Sequence, residues 1–177
     1  MKTAVIIFVA FMAMTSFAWE PIVLENGDFS NIGQDGIPAG WTQNKYYKES
    51  GKIEVVKQGE KNVLKITPVE KDPTACLLDL VAFPTQDTKK LKVTLNAGGG
   101  IYSVGIVLLA NQWGKGLGNE KAEGYSIEPK AKVFEFDIMK KDAEEKDAKA
   151  YGFRLVLCVP GGGKGPVTFS DIKIEWE

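Results

Sequence analysis

Histidine is absent from all 177 residues. That removes imidazole general bases, Ser-His and Cys-His nucleophile pairs and the commonest zinc ligand together. Cysteine is scarce: Cys76 and Cys158 are the only 2. They suffice for one disulfide if the chain is exported. They could equally be two buried thiols, because both sit in apolar runs, ACLLDLVAF and YGFRLVLCV. The sequence leaves that pairing open, since it does not give the Cα separation a bridge requires. Charge of one sign is not in excess either. Lys+Arg number 22 against Asp+Glu 23, for a net charge of −1, and the cations are scattered, which argues against a nucleic-acid partner. The long apolar run near the N-terminus falls short of the roughly 18 to 20 residues that span a bilayer. No segment sustains a helical 3.6-residue period.

The chain opens with Lys2, the apolar AVIIFVAFMAM and the small-x-small SFA ending at Ala18, which is the order of a secretory signal peptide. The expectation is that residues 1–18 are removed on export and that the mature chain starts at Trp19. No Cys follows the apolar run to carry a lipid. The product is therefore expected to be secreted, periplasmic or at the cell surface, with no membrane span after processing. Residues 19–177, in a chain 44% hydrophobic and 25% charged, are expected to form one globular domain.

Within that domain short β-type runs alternate with turn residues: PIVLE, GKIEVVKQG, NVLKITPV, ACLLDLVAF, KLKVTLNA, YSVGIVLLA, KVFEFDIM, YGFRLVLCV and VTFSDIKIEWE. Leu91, Val93 and Leu95 alternate with Lys92 and Thr94. Phe134, Phe136 and Ile138 alternate with Val133, Glu135 and Asp137. Such strands have one wet face, so the expected fold is all-β, with two packed antiparallel sheets. NAGGG, GKGLGNEKAEG and PGGGKGP read as turns. The last is no phosphate loop, because Gly165, Pro166 and a strand follow its Lys where a helix would be needed. KKDAEEKDAKA, 140–150, reads as a solvated loop or a single helical turn.

The stretch ENGDFSNIGQDGIPAGW, 25–41, has a structural reading of its own. Gly27 permits a bulge or positive φ, Phe29 and Trp41 fill the end of the core, and Pro38 with Gly40 set the turn between them. Trp176 shares a face with Ile172 and Ile174 and is also assigned to packing. NGDF, the following Gly/Pro loop, GW, and the closing VTFSDIKIE occur in an order that resembles the jelly-roll carbohydrate-binding modules attached to xylanases and cellulases. These belong to the galactose-binding-domain-like superfamily, and the resemblance covers essentially the whole mature chain. It implies a β-sandwich that binds a polysaccharide or oligosaccharide. Where such modules carry acids that help hold a structural calcium, this chain has Ser30, and Ser170 beside Asp171. Calcium affinity is therefore expected to be weak or absent, and no cofactor or metal is expected.

EFDIMK, 135–140, is similar to the Glu-x-Asp-x-x-Glu strand of retaining jelly-roll β-glucanases, but Lys140 replaces the second carboxylate. A retaining glycosidase needs two carboxyls about 5 to 5.5 Å apart. The expectation is an ordinary alternating strand and no enzyme.

Sugar recognition would use exposed rings against pyranose faces, with amides and Arg reading hydroxyls. The candidates are Trp113 flanked by Asn111 and Gln112, the adjacent Tyr46 and Tyr47, and Arg154, a lone charge in an apolar strand with Asp79 as its prospective partner. The competing reading gives each a packing or ion-pair role. The leading function is a non-catalytic carbohydrate-binding protein. A structural or adhesive surface protein contacting another secreted or surface protein is the alternative, and a glycoside hydrolase is a remote third.

Overall fold

The computed structural model describes residues 18–44, 51–85, 88–110, 116–138, 150–163 and 165–177. Twelve strands are described: β1 (Glu20–Ile22), β2 (Trp41–Gln43), β3 (Lys52–Gln58), β4 (Lys61–Thr67), β5 (Thr74–Leu78), β6 (Val81–Ala82), β7 (Lys90–Gly98), β8 (Gly100–Leu109), β9 (Gly116–Ser126), β10 (Lys130–Asp137), β11 (Gly152–Val159) and β12 (Val167–Trp176). They form two antiparallel sheets. Sheet I runs β10-β7-β12-β4-β3, with β1 beside β12; sheet II runs β2-β5-β11-β8-β9, with β6 beside β11. This is the all-β sandwich of jelly-roll type expected from the sequence.

The alternation in β7 does what its pattern implies. Leu91, Val93, Leu95 and Ala97 turn inward and are buried. They meet Tyr102, Val104 and Ile106 of β8 and Phe153, Leu155 and Leu157 of β11 in one core. In β10, Phe134 and Phe136 lie opposite Val93 and Leu91, whereas Val133, Glu135 and Asp137 lie opposite Thr94, Lys92 and Lys90 on the outer face. At the centre Tyr102 stands edge-on to Phe169, with ring centroids 5.4 Å apart, so the two sheets interlock through aromatic rings.

Three readings of the sequence change. GKGLGNEKAEG is no turn: its residues from Gly116 onward belong to β9, paired along the whole of β8. Glycine is admitted there because one of its positions, Gly124, lies against the Tyr102 ring. ACLLDLVAF is two strands, β5 and β6, broken where the Asp79 amide turns to the Gly40 carbonyl. In the opening stretch the left-handed backbone falls on Asn26 (φ 59°) and Phe29 (φ 56°), not on Gly27. Asn26 suits that conformation because its side chain accepts from the Asn31 amide and donates to the Asn31 and Ala39 carbonyls. Phe29 and Trp41 meet edge-on at 5.7 Å, and Trp41 closes the turn on Pro38 through Gly40 at φ 81°, as the sequence implied.

The closing strand carries a bulge that lets Phe169 and Ile172 both face inward, so period 2 shifts by one residue between Ser170 and Lys173. Ile172, Ile174 and the half-buried Trp176 do share the core-facing side. At the bulge Asp171 takes φ 52°, and its carboxylate accepts from Lys61 Nζ at 3.0 Å, Asn96 Nδ2 at 2.6 Å and Ser170 Oγ at 3.2 Å. The Lys61 hydrogen bond is the largest influence on this carboxyl; burial opposes it, and the lesser hydrogen bonds from Asn96 and Ser170 help to hold it below its ordinary value of 3.8. A folded-state value below the unfolded one stabilises above pH 3.8 and loses that stabilisation as pH falls through the folded value. Because the side chain is 37% exposed, Asp171→Asn should cost only about 0.5 to 1 kcal/mol at pH 7. The gap to wild type should close below about pH 4 in denaturant melts; a gap constant to pH 2 would contradict this.

Cys76 and Cys158 are both free thiols. Leu157, not Cys158, is the partner of Cys76 in the β5–β11 register, so the two cysteines project to opposite faces of sheet II. Cys76 is in the core and Cys158 is on the outer face. Burial pushes both thiols up.

Candidate functional site

The two outer faces of the sandwich differ in chemistry. On sheet I, charges pair across strands: Lys92 with Glu175 at 2.8 Å, and Lys65 with Glu54 at 3.3 Å. On sheet II, the central strands are apolar on both sides. Their outward residues form the floor of a groove of about 710 Å³.

The register lays that floor out in rows. One row runs from Ala75 on β5 through Cys158 on β11 and Ser103 on β8 to Glu123 on β9. The next runs Leu77, Val156, Gly105, Lys121. The third runs Arg154, Val107, Asn119. Pro73, Pro160, Gly161 and Asn44 border the groove at its first row. Beyond it, Ile101 lies opposite Tyr125, and both are more than half exposed. Tyr125 is an exposed aromatic ring on the groove side of sheet II that sequence reasoning missed. Its signal was present in the i, i+2 spacing with Glu123 and Lys121, hidden because the segment read as a turn.

Arg154, a candidate from the sequence, lines the groove wall. Its prospective partner is not there: Asp79 is exposed and forms no ion pair with it. Arg154 Nε is buried and has no hydrogen-bond partner. At the other end of the groove Lys121 and Glu123 pair loosely at 3.6 Å, both well exposed. Burial raises the Cys158 thiol, offset in part by a hydrogen bond donated by the Ser103 hydroxyl to the sulfur and by the Lys121 charge.

Trp113, Asn111, Gln112, Tyr46 and Tyr47 lie outside the described residues, as does Lys140. Described residues that border these segments lie at the groove. Leu109 and Gly116, which flank 110–115, both line it, and so does Asn44, which precedes 45–50. Glu135 stands on the outer face of sheet I, across the sandwich from the groove.

A smaller cavity of about 230 Å³ is lined by Asp28, Glu60, Lys61, Asn62 and Asp171. It places the Lys61 ammonium on the Asp171 carboxylate. Among the described residues no three His, Cys, Asp or Glu side chains are grouped to hold a metal ion. No helix among them is long and apolar enough to cross a membrane.

No family profile matches the sequence, and no curated protein matches it. Solved structures share the fold. One is a cyclase from Fischerella sp. TAU, 14% identical, with 90% of this chain and 98% of that one covered and a TM-score of 0.65. Another is the family 11 carbohydrate-binding module of a cellulosomal cellulase of Clostridium thermocellum, 12% identical over 89% of this chain and 95% of that one, with a TM-score of 0.57. A family 11 module from the same organism, in complex with a β-1,3-1,4-mixed-linked tetrasaccharide, is 10% identical over 88% and 94%, with a TM-score of 0.57. At these identities the likeness is one of fold. The sandwich is thus common to binding modules and to cyclases.

Proposed function

We propose that this chain is an exported, non-catalytic carbohydrate-binding protein that lays a polysaccharide along the outer face of sheet II. One observation carries the reading: that face, unlike the ion-paired face of sheet I, is a groove with an apolar floor and a few polar side chains at its walls. Sugars present apolar C–H faces and a rim of hydroxyls, so a mixed floor of this kind suits them. Family 11 modules of the same fold add support, one of them with a tetrasaccharide bound. Trp113 is assigned as the main stacking platform, with Asn111 and Gln112 as polar readers and Tyr46 and Tyr47 as further aromatic candidates. This assignment rests on described residues near them in the chain, Leu109, Gly116 and Asn44, all of which line the groove.

A few hydroxyl contacts and one or two stacked rings must overcome the ordering of a flexible glycan. The dissociation constant should therefore be on the order of 10 μM to 1 mM. Affinity electrophoresis against a panel of plant and algal glycans tests this. Wild type should be retarded by at least one glycan. Trp113→Ala should lose about tenfold in affinity with its unfolding temperature kept, as expected for one stacking ring. If no glycan retards wild type, the reading fails and a protein-contacting surface role becomes the better one.

Catalysis is not part of the proposal. The chain has no imidazole, and Glu135, the carboxylate of the glucanase-like string, faces away from the groove. Pure protein should release no reducing sugar from β-glucans. Release abolished by Glu135→Gln would refute that.

A further inference from the structure

We infer that the groove selects an acidic sugar, a uronic-acid residue whose carboxylate is received by the guanidinium of Arg154. This rests on the carbohydrate-binding reading and narrows its substrate class. Arg154 rises from the middle of β11, between Val156 on its own strand and Val107 on β8, with the Asn119 amide one strand further along the same row. The guanidinium carries a positive charge and five N–H donors in a planar fork. Its Nε is shut off from solvent and bonds to nothing among the described residues. The residue as a whole is half-buried, so the head of the guanidinium opens to the groove while a buried donor, Nε, stays unmet beside apolar side chains, an arrangement that an acceptor in the groove would complete.

Among the described residues no acid does so. Asp79 would stand opposite Arg154 if β5 ran on in register. The strand breaks there instead, the Asp79 amide goes to Gly40, and no ion pair forms. Glu123 is two strands and two rows away and faces Lys121. Glu120, the other groove-lining acid, belongs to the same edge strand.

Neutral hydroxyls could accept the N–H groups but would leave the charge unmatched. A carboxylate does both, and its two coplanar oxygens fit the guanidinium fork. Lys121, one row along, supplies a second cation on the side from which a chain of such sugars would pass.

The test uses the purified protein and four polymers in affinity electrophoresis and calorimetry: a polyuronate, the same polymer after carboxyl reduction to its neutral form, a sulfated galactan and a mixed-linked β-glucan. Polyuronate should bind about ten- to a hundredfold more tightly than its reduced counterpart, and that preference should weaken as salt rises. Arg154→Lys, which keeps the charge and loses the fork, should cost about tenfold on polyuronate and several-fold less than that on the reduced polymer. Equal affinity for the polyuronate and its reduced form, or a stronger response to the sulfated galactan, overturns the carboxylate assignment and leaves glycan binding standing. Retention by none of the four removes the carbohydrate reading and this inference with it.

Discussion

Gly124→Val is expected to destabilise the protein by about 3 kcal/mol, a fall in Tm of about 6 to 12 °C for a domain of this size. Position 124 lies on the edge strand β9, where substitutions are ordinarily mild. Here a Cβ would stand 2.5 Å from two ring carbons of Tyr102 and 2.7 Å from its hydroxyl. Tyr102 has no room to yield, being fully buried and edge-on to both Phe169, at 5.4 Å, and Phe134, at 6.4 Å. The strain must pass to the backbone pairing of β8 and β9 or to the aromatic cluster between the sheets. Combining Gly124→Val with Tyr102→Leu should therefore cost less than the sum of the two single changes, by about 1 kcal/mol or more. Strict additivity in thermal or urea melts would show that the two residues do not meet.

The second large effect is on binding. Val156→Glu should reduce glycan affinity by about ten- to a hundredfold while changing stability by less than about 1 kcal/mol. Val156 is only half-buried, on the groove floor at the centre of sheet II, so a longer polar side chain can reach water. Residues two apart on a strand share a face about 6.5 to 7 Å apart. The new carboxylate would thus sit beside Arg154 and occupy the cation that otherwise faces the ligand. Val133→Glu, an equivalent change on the exposed outer face of sheet I, is the control and should leave affinity unaltered. Equal losses from both would place the site elsewhere.

Much of the sandwich is legible in the sequence, and the reason differs from strand to strand. β7 and β10 show clean alternation because one face meets the core and the other meets water and paired charges. β8 and β11 show almost none, because the outer face of sheet II is itself apolar. Two-sided hydrophobicity in the central strands of an antiparallel sheet is thus the imprint of the groove, with Arg154 the visible exception. β2 was hidden because Trp41, read as core, is also a three-residue strand. β9 was hidden because glycine serves there to clear Tyr102, while the same residue type in a window of mixed charge reads as a turn. The bulge at Asp171 escaped because it depends on β1 and β4 sharing one edge of β12, a long-range arrangement without a local signature. Of the six binding candidates read from the sequence, Arg154 is placed in the groove, and the other five lie outside the described residues.

The account's central claim is that the outer face of sheet II holds the glycan. Amide chemical-shift mapping during titration with an oligosaccharide of the polymer that retards the protein measures this most directly. Shifts should cluster at Arg154, Val156, Ser103 and Lys121 and leave Lys92, Glu135 and Glu175 on sheet I unmoved. Shifts centred on those sheet I residues, with the groove residues silent at saturation, would contradict it.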